Sequence, residues 1–170
     1  PPAYARTDSC GRAFAFQASA AILDTARTGT VSDWLVDVLR NERLDNMPLF
    51  LSNHDRFAGD RVWNQLDGDV EAYRLAAATH LLAARNPFTY YGEEIGMSGN
   101  KPDPDLRTPM QWSNTEHAGF SQSVPWRPAN ADYPDVNVRD QLADPESVLN
   151  LYRRLIRLRQ QFPAFRGQRC

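Results

Sequence analysis

Two short polar clusters carry side chains able to do chemistry. Asn53-His54-Asp55 sets an amide, an imidazole and a carboxylate in succession, directly after the apolar run Pro48-Leu-Phe-Leu51. Three adjacent side chains with different hydrogen-bonding capacity suit a polyhydroxylated ligand, although a turn at a strand end also selects Asn and Asp. Glu93-Glu94 follows a second short run, Phe88-Thr-Tyr-Tyr91. Paired carboxylates are the machinery of glycoside hydrolysis, so Asp55 with one of these glutamates is a candidate acid/base pair. Neighbouring residues point in different directions, however. A bond to backbone or to an arginine, and hence a structural role, is the favoured reading for both glutamates. Asn100, Asp103 and Asp105 form an oxygen-rich loop with Ca²⁺-ligand chemistry. They lack the EF-hand spacing and are interrupted by prolines, so no cofactor is expected. His80 reads as a packed or partly exposed side chain within a helix, and His117 has no evident partner.

The elements that must position these residues follow from periodicity. Arg12-Ala-Phe-Ala-Phe16 alternates small and aromatic residues, a short strand signal. A helix near 31–42 is expected from Thr30 and Asp33 in a capping-box arrangement. Val31, Trp34, Leu35, Val38 and Leu39 would form its apolar stripe. Residues 48–52 suit a strand buried on both faces. A helix capped by Asp69 spans 70–84 and stops at Asn86-Pro87, because the residue before a proline leaves the helical region. Residues 88–91 form the third strand. Gly96 to Asp144 holds most of the prolines and no period, and so long a loop is normally functional. The last helix, near 145–160, opens on Asp144-Pro145-Glu146 as cap, N1 proline and first-turn carboxylate. Val148, Leu151, Tyr152, Leu155 and Phe162 make its buried stripe, with Arg153, Arg154, Arg157 and Arg159 mostly facing out. This order predicts an α/β fold with three neighbouring parallel strands. Reactive groups in such folds gather at the carboxyl ends of the strands.

Composition narrows the function classes. A chain of 170 residues fits one domain, and 42% hydrophobic residues suffice for a core. Nineteen basic against twenty-one acidic residues leave a net charge of −2, which argues against a nucleic-acid partner. The arginine run is then a solvated helix face. No apolar run approaches the ~20 residues that span a bilayer, so no membrane partner is expected. Cys10 and Cys170 neither establish a disulfide framework nor make a metal site. The start lacks a Met and an apolar h-region, so neither a signal peptide nor a native N-terminus is visible.

Phe50-Leu-Ser-Asn-His-Asp55 resembles the fourth signature region of the α-amylase superfamily, often called glycoside hydrolase family 13. Tyr90-Tyr-Gly-Glu-Glu-Ile-Gly-Met97 is similar to that family's eighth barrel strand and following turn. Arg107-Thr-Pro-Met-Gln-Trp112 is similar to a segment of its α-glucosidase, oligo-1,6-glucosidase and trehalose-synthase members. Ala118-Gly-Phe120, Pro125-Trp126 and Gln141-Leu-Ala-Asp-Pro145 continue the order. The resemblance implies a (β/α)8 TIM barrel, of which residues 1–170 hold strands six to eight with their helices. The first half of the barrel and the C-terminal β-domain would be absent.

The same resemblance implies a retaining hydrolase or transglycosylase acting on α-glucosidic bonds, with short oligosaccharides preferred over starch. The Asp nucleophile and Glu acid/base would both precede Pro1. Asp55 matches the third carboxylate, which stabilises the distorted sugar in the transition state. His54 matches the histidine that hydrogen-bonds the same glucose. Arg107 matches an arginine that closes this subsite in exo-acting members, and Asn53 completes the expected substrate-binding set. Two other readings stay open here. One is a non-catalytic amylase-like domain of a transporter heavy chain, against which His54, Asp55 and Arg107 speak; the other is a sugar-binding module. Standing alone, a barrel segment would expose strand edges and an apolar face including parts of Phe14, Phe16, Phe50 and Tyr90. Such a chain is expected to self-associate and to be inactive.

Overall fold

The computed structural model describes residues 13–40, 47–55 and 58–166. Cys10, Cys170 and the first residue of the strand expected at 12–16 lie outside them. The helices are α1 (Phe16–Thr28), α2 (Asp33–Arg40), α3 (Val62–Gln65), α4 (Val70–Ala83), α5 (Asp103–Leu106), α6 (Val138–Ala143) and α7 (Val148–Gln161). The strands are β1 (Leu49–Phe50) and β2 (Pro87–Phe88), and single 3₁₀ turns lie at Glu93–Ile95, Glu116–Gly119 and Pro163–Arg166. The chain divides into two compact units, one of Pro1–Leu51, Val70–Thr89 and Leu155–Cys170, the other of Ser52–Asp69 and Tyr90–Arg154.

In the first unit, β1 and β2 pair in parallel, Leu49 opposite Pro87 and Phe50 opposite Phe88. The pairing is the expected one, but β2 begins at Pro87 and ends before Thr89. The strand expected at 12–16 is not formed among the described residues. Residues 13–15 have no regular structure, and Phe16 already opens α1. One backbone bond survives from the expected ladder, Ala15 N–H donating to the Pro48 carbonyl at 3.0 Å. The helix wins because Ala18, Ile22, Leu23 and Ala26 bury one face of an alanine-rich run. It closes at Gly29, whose φ of +69° lets its N–H return to the Thr25 carbonyl.

α2 differs from expectation in its cap and its face. The Leu35 N–H donates to Ser32 Oγ at 3.2 Å, so Ser32, not Thr30, is the N-cap. Val31 therefore precedes the helix and is 60% exposed; Trp34 is also exposed, and of the stripe only Leu35 is fully buried. α4 runs as expected and packs on α1. Ala76 and Ala77, both fully buried, allow the two helices to approach closely. Arg159, expected in solvent, instead donates to the carbonyls of Leu81 at 2.9 Å and Ala84 at 2.6 Å. It satisfies acceptors that the last turn of α4 leaves without helical partners.

α7 begins at Val148 rather than 145. Ser147 Oγ accepts the Asn150 N–H and is the cap, while Asp144 holds the Glu146 N–H in a preceding turn. Val148, Tyr152 and Leu155 are buried as expected, but Phe162 lies past the helix end and is 52% exposed. Phe50 is also unlike its expectation. It is buried edge-on between Phe14 and Phe16, with centroids 5.4 and 4.9 Å away. Phe14, Phe16 and Phe88 remain exposed.

The second unit contains the aperiodic stretch, which is ordered by side-chain amides. Gln111 Nε2 donates to the Val136 carbonyl at 2.6 Å, and Gln141 Nε2 to the Ile95 carbonyl at 2.7 Å. Asn137 Oδ1 accepts the Asp140 N–H and caps α6. Beside them Ile95, Met97, Met110 and Leu149 form an apolar cluster, with Val138 packed against it.

Candidate functional site

Asn53, His54 and Asp55 follow β1 in the chain. Asn53 Oδ1 accepts the Asp55 N–H at 2.7 Å, a local turn that commits the amide oxygen to backbone. The turn reading of Asn53 thus holds for its oxygen. It brings the next two side chains together, with His54 Nε2 3.3 Å from Asp55 Oδ1. Arg107, far along the chain, reaches the same place. Its Nε and Nη2 donate to the His54 carbonyl at 3.1 and 2.9 Å, and Nη2 lies 3.7 Å from Asp55 Oδ1. The same Nη2 also donates to Asp103 Oδ2 at 3.4 Å. The His54 side chain is 59% exposed, that of Arg107 42% and that of Asp55 35%, so all three remain open to a ligand.

The two glutamates behave differently. Glu94 Oε2 accepts the Gly92 N–H at 2.8 Å. Glu93 is fully buried; its Oε1 accepts the Ser52 N–H at 3.0 Å and the Ser52 hydroxyl at 2.6 Å, and its Oε2 the Tyr90 N–H at 3.3 Å. Burial pushes its carboxyl up to about 8, against the pull of those donors and of Arg61. Both glutamates thus bond backbone, as the structural reading expected.

Arg61, Tyr90 and Tyr91 were not among the expected site residues. Arg61 is fully buried, and its guanidinium carbon lies 4.8 and 4.7 Å from the ring centroids of Tyr90 and Tyr91. The Tyr90 ring also stands 6.5 Å from the His54 ring. Nothing local in Gly59-Asp-Arg-Val-Trp63 separates a buried arginine from a surface one. The paired tyrosines were legible only as strand residues.

The remaining candidates divide simply. Asp103 faces Arg107, and Asp105 pairs with Arg127. Among the described residues no group of three or more His, Cys, Asp or Glu is arranged to hold a metal ion. His80, in the first unit, is packed as expected; its Nε2 lies 3.1 Å from the Leu49 carbonyl. His117 lies 3.8 Å from Glu116 Oε1, in a turn where His117 and Ala118 both have positive φ. Among the described residues no helix is long and apolar enough to cross a membrane.

Parallel strands alternating with helices, and an exposed carboxylate–imidazole–guanidinium cluster that follows a strand in the chain, define an α/β protein with an open polar site. Residues 11–167 match the α-amylase catalytic domain, and the chain belongs to that family, glycoside hydrolase family 13. It is 31% identical over 156 residues to the oligo-1,6-glucosidase of Parageobacillus thermoglucosidasius, covering 66% of this chain and 27% of that protein. It is 31% identical over 179 residues to the glucan 1,6-α-glucosidase of Streptococcus dysgalactiae subsp. equisimilis, covering 81% and 33%. The crystal structure of the α-amylase from H. orenii superposes with a TM-score of 0.77 at 33% identity, covering 92% of this chain and 33% of that one. The chain therefore spans between 27% and 33% of the length of these relatives, and its fold is part of the family's (β/α)8 barrel.

Proposed function

We propose that the chain forms part of the catalytic barrel of a retaining glycoside hydrolase or transglycosylase acting on α-glucosidic bonds of short oligosaccharides. The observation that carries this reading is the meeting of Asp55, His54 and Arg107 in one exposed cluster. Family membership and relatives named for 1,6-glucosidase activity support the substrate class. In this reading β1 and β2 are barrel strands seven and eight, and the Ala15 segment is the end of strand six. The nucleophile and the acid/base belong to other strands of the barrel and are assigned to no residue of this chain.

The division of labour follows from the transition state. As the glycosidic bond breaks, positive charge spreads over the anomeric carbon and ring oxygen. A carboxylate fixed nearby stabilises that charge without forming a bond, and its effect is greatest where water is excluded. Asp55 takes this role. His54, exposed beside it, donates to a hydroxyl of the same sugar. Arg107 holds the His54 carbonyl and faces Asp55, closing the subsite around the terminal glucose.

The test uses the full-length protein with maltose and isomaltose as substrates. Asp55→Asn removes the charge and almost no volume, so turnover should fall by about 10²–10³-fold while the fold persists. Turnover near the wild-type value in that variant would refute the role. A wild-type protein that binds these sugars without cleaving either would favour the non-catalytic relative instead.

A further inference from the structure

Asp55 and Arg107 are 52 positions apart, Asp55 in the turn that follows β1 and Arg107 at the C-terminal end of α5. The contacts behind the cluster involve two buried ionisable groups, Glu93 and Arg61. On the Asp55 side, Glu93 Oε1 takes both donors of Ser52, the residue that opens the Asn53–Asp55 turn, at 3.0 and 2.6 Å. Its Oε2 takes the Tyr90 N–H at 3.3 Å. On the Arg107 side, the backbone is gripped on both flanks. The Tyr90 hydroxyl and Arg61 Nη2 donate to the Leu106 carbonyl at 3.0 and 2.9 Å, and the Tyr91 hydroxyl donates to the Thr108 carbonyl at 2.7 Å. Arg61 Nη1 ties the system together by donating to the Tyr91 carbonyl at 2.6 Å.

We propose that Glu93, Arg61 and the Tyr90–Tyr91 pair form an internal brace that fixes Asp55 and Arg107 relative to each other, with Glu93 as its positioning residue. Its consequence for turnover rests on the glucoside-site reading above; its geometry does not. A merely space-filling group at 93 would be apolar, since a buried carboxyl without partners is costly. Here the carboxyl bonds Ser52 and Tyr90, on segments that lead to the cluster. Gly92 adds a steric reason for the arrangement. With φ at +85°, a Cβ there would meet Met97 Sδ and, at 2.9 Å, Arg61 Nη1, so glycine suits this turn beside the guanidinium.

Three variants of the full-length protein test the brace: Glu93→Ala, Glu93→Gln and Ser52→Ala. Crystal structures and steady-state kinetics on isomaltose are read together. Glu93→Ala should displace the Asn53–Asp55 turn from Arg107 and lower kcat by about tenfold or more with a smaller change in KM, because misplacement of a charge acts on the transition state. Glu93→Gln retains an acceptor for both Ser52 donors and should recover most of kcat. Ser52→Ala removes a single donor and should give a partial loss if Glu93→Ala does not fold. An unmoved Asp55–Arg107 pair with unchanged kcat per folded molecule, in whichever variant folds, would overturn the brace. Displacement of the cluster in a protein whose wild type cleaves no glucoside would leave the brace standing and refute the glucosidase reading alone.

Discussion

Ion pairs as exposed as those of Asp55, His54 and Arg107 contribute about 0–1 kcal/mol each, so stability does not account for their convergence. Position does: the cluster is held by buried neighbours whose own chemistry is measurable. Glu93 is the clearest case, because burial raises its carboxyl from 4.5 to about 8 while Ser52, the Tyr90 N–H and Arg61 pull the other way. Between those two values the unfolded chain has released this proton and the folded chain has kept it. The stability contribution is therefore fully present below about pH 4.5 and is lost as pH rises through about 8. Urea unfolding at pH 5, 6.5 and 8 should show wild type falling relative to Glu93→Gln across that window; parallel curves would contradict the assignment. At this scale His54 and Asp55 were legible because they are contiguous after an apolar run. Arg107 was legible only by resemblance. Arg61 was not, because burial of a charged side chain is decided by distant segments and leaves no local pattern.

Among the elements, α4 joins sequence and fold most directly. It ends at Ala83, shortly before the Asn86-Pro87 stop read in the sequence, and its inner face carries His80, fully buried against the Leu49 carbonyl. Burial, aided by the charge of Arg159, lowers the imidazole from 6.5 to about 4 against the pull of that hydrogen bond. Here the unfolded chain binds the extra proton first. The stability contribution is intact above about pH 6.5 and is lost as pH falls toward about 4. His80→Gln, which keeps a donor for Leu49 and cannot titrate, should lose less stability than wild type on acidification from pH 7 to 4, followed by circular dichroism in urea. An equal loss would mean that His80 is not the acid-sensitive group. The slope is opposite in sign to that of Glu93, so each is read as a difference between variant and wild type. Arg159 shows why helix faces were only partly legible. Its spacing puts it among solvent-facing arginines, but its length carries the guanidinium to the open carbonyls at the end of α4. α1 was hidden by its first residues, which belong equally to a small–aromatic alternation and to an alanine-rich helix.

For the whole molecule, the order of strands and helices foretold parallel pairing, and β1 with β2 pairs in parallel. Barrel architecture could not be read from periodicity, because closure depends on strands beyond a two-stranded ladder; it came from the motif set and from family membership. The long aperiodic stretch was legible as unusual and not as ordered, since Gln111, Gln141 and Asn137 hold it through amide-to-backbone bonds that repeat at no interval. The proposed role of Asp55, His54 and Arg107 is to surround a terminal glucose. The most direct measurement is a crystal structure of the full-length Asp55→Asn protein soaked with isomaltose, in which slowed chemistry preserves the ligand. The account predicts a glucosyl ring whose hydroxyls lie within hydrogen-bond distance of His54 and of the residue at 55, with Arg107 at its closed end. An isomaltose bound elsewhere in the barrel, with the cluster facing only solvent, would contradict it.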